Sequence, residues 1–144
     1  MKLLWVIPLA MTVATAANVV FYYVVTAGFG EEPLVPNRFP PPDYAALPVM
    51  VVISLTVFGT LGAGIVFGIV SKLARRPIRV YLGISVAMLL LSFVPTLTLP
   101  SPPVELSHKL VLGTMHIIAA IAVVSTLIAL GRGVWSRNAS VVVA

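Results

Sequence analysis

Imidazole is the side chain whose proton is most easily moved near neutral pH, and it is also the commonest metal ligand. This sequence sets one imidazole, His116, inside the apolar run GTMHIIAAIA of residues 113–122. Three more polar side chains belong with it. Asn18 and Tyr22 sit in the first apolar stretch, and Ser92 sits in the third. Three chemistries are open to such a cluster. A neutral His116 sharing hydrogen bonds with Asn18 or Ser92 would fix the register of packed helices. A titrating His116 would serve a path for protons or a small solute. As a single axial ligand, His116 would hold a haem or chlorophyll-type ring. The other histidine, His108, lies eight residues earlier on the same helix, so the two cannot clasp both faces of one ring. A one-ligand site, or a site shared between chains, remains.

Enzyme constellations are missing from the pattern. The acids, Glu31, Glu32, Asp43 and Glu105, all fall outside the apolar stretches, so none pairs with His116 there. No glycine-rich phosphate loop and no histidine pair at metal-binding spacing occurs. The absence of cysteine removes thiolate ligands, disulfides and thiol nucleophiles. Ser92 with His116 is the one nucleophile–base pair that can be drawn, and serine in such segments is commonly a packing residue. The expectation is a non-enzyme without a required cofactor.

The elements that must position these residues follow from composition. Apolar residues make up 60% of the 144, and charged residues 9%, against roughly half and a quarter in soluble domains. The solvent is therefore lipid, and the length allows one domain, residues 1–144. A spanning helix needs about 20 apolar residues, and four stretches qualify: about 3–29, 46–70, 80–97 and 110–130. The third is expected to end near Pro95. The first resembles a signal peptide at its start, with Lys2 and the small residues Ala14-Thr15-Ala16. Its apolar run continues to Ala27, too long for such a signal, so an uncleaved span is expected.

Depth and face bring the polar residues together. At 1.5 Å per residue, His116 lies roughly 10 Å below the outer edge of the hydrocarbon and Asn18 about 13 Å. Thr15, Asn18 and Tyr22 share a face of the first helix. Tyr81, Ser85, Met88, Ser92 and Pro95 stripe the third, and Gly113, His116 and Ala120 stripe the fourth, with Gly113 leaving room beside the ring. On the second helix Thr60, Gly64 and Gly68 recur every four residues. Small residues let backbones approach closely in lipid, within the bundle or between copies.

Charge gives the orientation. Lys2, Lys72, Arg75, Arg76, Arg79, Arg132 and Arg137 fall on one side, Arg38 and Lys109 on the other with all four acids. The positive-inside rule puts both termini in the cytoplasm, and there the Asn138-Ala139-Ser140 acceptor would not be glycosylated. The net charge of +5 thus marks a membrane face and not a nucleic-acid partner. Lys72, Arg75, Arg76 and Arg79 crowd one short inner loop. They serve as topology determinants or as contacts for anionic headgroups, and the two roles are compatible. Two proline-rich outer loops close the two hairpins. The first, GEEPLVPNRFPPPDYAALP, is expected to be extended and partly polyproline II, as a stiff connector or a docking segment. In the second, LPSPPVELSH, Ser107 is placed to cap the fourth helix. Two consecutive in-out-in hairpins hint at a repeat.

The stretch LARRPIRVYLGISVAMLLLSFVPTL, followed by LVLGTMHIIAAIAVVSTL, resembles an uncharacterised family of small four-span bacterial membrane proteins. The likeness rests on Arg75-Arg76-Pro77, on Ser92 to Pro95 and on Met115-His116. It implies four spans and draws attention to His116, and it implies no reaction. The expected object is an all-α four-helix transmembrane bundle. It would be an accessory or interaction protein in contact with lipid, as a homo-oligomer or in a larger membrane complex. A small transporter and a pigment-binding subunit are the alternatives.

Overall fold

The computed structural model describes residues 3–30, 32–38, 43–101 and 103–141, with their side chains except those of 3, 4, 37, 38 and 132–141. Four helices dominate. Helix α1, Leu3–Tyr23, runs on into a π-helical turn at Val24–Gly28. Helix α2 is Val49–Leu73, α3 is Pro77–Leu97 and α4 is Leu106–Val141. Each contains a segment long and apolar enough to cross a membrane. Even α3, with 21 residues, covers roughly 32 Å at 1.5 Å per residue, matching a hydrocarbon core of about 30 Å. The all-α four-helix architecture is thus present.

The helix ends differ from the sequence reading for local reasons. Helix α3 starts at Pro77, three residues earlier than expected, because proline at the first position has the right φ and its missing N–H is unneeded there. It also continues through Pro95 to Leu97. There the Thr98 hydroxyl donates to the carbonyls of Val94 and Pro95. Helix α4 begins at Leu106, so Ser107 lies inside the first turn and does not cap it. Its far end passes the expected limit at 130 and reaches Val141.

The first outer loop is the larger surprise. The expected extended, partly polyproline II connector is extended, but as a β-hairpin, β1 Leu34–Arg38 paired antiparallel with β2 Asp43–Ala46. The register pairs Leu34 with Ala46 and Pro36 with Tyr44, and shifts between Pro36 and Arg38. In a two-stranded ribbon both strands are edges, so Pro36 costs no ladder bond. Leu47 N–H donates to the Pro33 carbonyl at 2.8 Å and carries the pairing to the foot of α2. Glu31 and Pro40 to Pro42 lie outside the described residues.

The helices form a ring in chain order. Helix α1 packs on α2 and α4, α3 packs on the same two, and α2 meets α4 across the middle. Toward the α2–α3 loop the core is Val6, Ala10, Ala14, Phe67, Val70, Tyr81, Val123 and Leu127. Tyr81 meets Phe67 edge-on at 5.1 Å between ring centroids. Toward the hairpin it is Leu47, Val52, Leu112 and Met115. Between these two apolar layers lie three buried polar side chains, Asn18, Thr56 and Thr60.

Candidate functional site

The polar layer is built on α1 and α2. Asn18 is 4% exposed, and its Nδ2 donates to Thr56 Oγ1 at 3.0 Å. Thr56 can accept because its own proton goes to the Val52 carbonyl at 2.7 Å. Thr60 repeats the device one turn on, donating to the Thr56 carbonyl. The chain Asn18–Thr56–Val52 is thus closed on its donor side. Asn18 Oδ1 remains buried without a hydrogen bond, as does Thr15 Oγ1 one turn earlier.

The cluster expected from sequence does not assemble as one network. Tyr22 turns to the foot of α2, its hydroxyl donating to the Leu47 carbonyl at 2.9 Å. Ser92 donates to the carbonyl of Leu89 on its own helix. His116 Nδ1 lies 2.7 Å from the Leu112 carbonyl, again on its own helix. Short polar side chains in helices have a carbonyl one turn back within reach, and a bond there needs no neighbour. Thus Asn18 and Ser92 are not the partners of His116. The α3 stripe also dissolves: Tyr81 is buried, but Met88 and Pro95 are exposed.

A carbonyl only accepts, so in this contact Nδ1 of His116 carries a proton. Nε2 makes no hydrogen bond among the described residues. The half-buried ring lies 6.2 Å from the ring of Phe93 on α3. The room expected at Gly113 is taken by Phe93, whose Cε1 would stand 2.9 Å from a Cβ there.

The small-residue face of α2 is a contact within the chain. Thr60 and Gly64 are buried and Gly68 is half-buried. A Cβ on Gly64 would meet Ile7 of α1 at 2.9 Å. At Gly64 that face is occupied by α1 of the same chain. Thr56, which the sequence reading missed, continues the same four-residue spacing one turn before Thr60. At the other end of the helices Lys72, Arg75, Arg76 and Arg79 are all exposed around the α2–α3 connection. Among the described residues no three His, Cys, Asp or Glu side chains gather to hold a metal.

Fold and site together define a four-helix bundle of membrane-crossing length, tied inside by one polar layer. The chain belongs to the family of unknown function DUF6069, whose profile matches residues 3–144. Comparison with curated proteins and with solved structures gave no match.

Proposed function

We propose that this chain is an integral membrane protein with a non-enzymatic, accessory or interaction role, both termini lying in the cytoplasm. The observation that carries this reading is where the chemistry is spent. The interior is filled by Phe67, Tyr81, Leu127 and the Asn18–Thr56 pair, while the outward faces are apolar along whole helices. On α3, Leu82, Val86, Leu90 and Val94 recur every four residues and are all exposed. Contacts made at such faces are the work this geometry supports best. The test uses the cysteine-free chain. Single cysteines at Leu90, Leu55, Ile121 and Val20 are cross-linked in native membranes to thiols of neighbouring proteins. Adducts of one defined mass at one face support the role; a chain that stays monomeric from all four positions ends it.

A second reading is favoured by His116 alone. With Nδ1–H donated to Leu112, Nε2 is the ring atom left to act as a proton acceptor or an axial ligand. An absorbance spectrum of the chain purified from its native membrane separates the two, since only a bound tetrapyrrole gives a Soret-type band that His116→Ala removes.

A further inference from the structure

The charge of this bundle is segregated to its two ends. Lys72, Arg75, Arg76 and Arg79 surround the α2–α3 connection, and every one is exposed. No acid occurs between Asp43 and Glu105, and both of these lie at the hairpin end together with Glu32. The separation is a helix length, roughly 30 Å, several times the screening length of about 8 Å in physiological salt. Among the described residues the four positive charges therefore have no side-chain carboxylate within reach, which leaves them open to a counter-charge from outside.

The apolar neighbours say what kind of counter-charge fits. Leu73 is 80% exposed between Lys72 and Ala74, and Ile78 and Val80 are exposed on either side of Arg79. Apolar and cationic side chains thus alternate at the level where two spans end. A free anion in water has no use for the exposed Leu73 and Ile78. A phospholipid satisfies both kinds of group, acyl chain below and phosphate above. A groove of about 300 Å³ lies there, lined by Arg76, Pro77, Ile78 and Arg79. Guanidinium groups match phosphate oxygens two at a time.

We infer that the α2–α3 connection is a binding site for the phosphate of anionic phospholipids, with Arg76 and Arg79 gripping the headgroup and Leu73 and Ile78 entering the acyl region. The inference rests on the helices being membrane spans. That reading is checked separately by alkaline carbonate, which releases a chain that does not span.

The site itself is tested on the purified full chain in non-ionic detergent. Native mass spectrometry counts bound phosphatidylglycerol against phosphatidylcholine of the same acyl length. The intact chain should retain phosphatidylglycerol preferentially. Arg76→Gln with Arg79→Gln should lower that preference by roughly tenfold or more, as expected for two interfacial basic side chains. Equal retention by both proteins overturns the site. Displacement of the lipid by millimolar inorganic phosphate overturns the lipid as its occupant and assigns the groove to a free anion. If the double variant fails to fold, Arg76→Gln and Arg79→Gln singly are compared with Arg76→Lys, and a preference unchanged in all three overturns the inference.

Discussion

Asn18 on α1 and Thr56 on α2 are joined by a hydrogen bond of 3.0 Å, buried among apolar side chains and 38 residues apart in the chain. It ties α1 to α2 directly, side chain to side chain. Such bonds in bundles of this kind are worth about 0.6–2 kcal/mol, while a stranded polar group costs more. Asn18→Leu and Thr56→Val should each lower stability by roughly 1–2 kcal/mol. The double variant should lose clearly less than both together, because contacting residues couple. Unfolding in detergent measures this, and strict additivity would show that the two side chains do not meet.

His116→Leu should cost less than either, under about 1 kcal/mol, because its hydrogen bond is to its own helix. Combined with Asn18→Leu, the effects should add. Strong coupling between these two positions in the same unfolding assay would restore the shared cluster expected from sequence.

Gly64 is tight because Ile7 fills the space where its side chain would be. Gly64→Leu should destabilise by roughly 1–3 kcal/mol through overpacking, and Ile7→Ala in the same chain should recover part of it. Gly62→Ala is the control, since nothing lies within 4 Å of a Cβ there. Equal losses at both glycines would refute a special role for the Gly64 face.

Phe67 is fully buried, touches Tyr81 edge-on and lies against Gly131 of α4. It therefore joins α2, α3 and α4 at one point. Phe67→Ala should cost about 3–5 kcal/mol, the range for a large aromatic removed from a core. A loss below 1 kcal/mol in thermal or denaturant unfolding would mean that this end of the bundle is not packed as described.

Orientation has its own assay. A cysteine replacing the exposed Asp43 should react with an impermeant thiol reagent added to intact cells, while one replacing Ala74 should not. Labelling at Ala74 with none at Asp43 would invert the proposed topology.

Helix number and class were legible because lipid demands long apolar runs, and each of the four stretches satisfied that demand. The partners of the polar residues were not. Depth and face placed Asn18 near the level of His116, but neither says which neighbouring helix is closer. Helix α2 offered Thr56, and the carbonyl of Leu112 was within reach of His116 without any neighbour at all. The four-residue spacing of Thr60, Gly64 and Gly68 was read as a contact face, and extending it by one turn would have found Thr56. The β-hairpin was hidden by its prolines. Proline argues against a central strand, and in a ribbon with no central strand that argument has no force.

Helix α4 spans 36 residues without a proline. At 1.5 Å per residue that is roughly 54 Å, whereas a hydrocarbon core is about 30 Å thick. The excess, about 24 Å, continues as a stem on the same unbroken axis. A continuous helix is stiff in torsion and bending over this length. Any tilt or roll of α4 within the bundle is delivered, undiminished, to the stem beyond it. The stem behaves as a lever arm, and a small change in how α4 seats against α1 becomes a larger sweep at its tip.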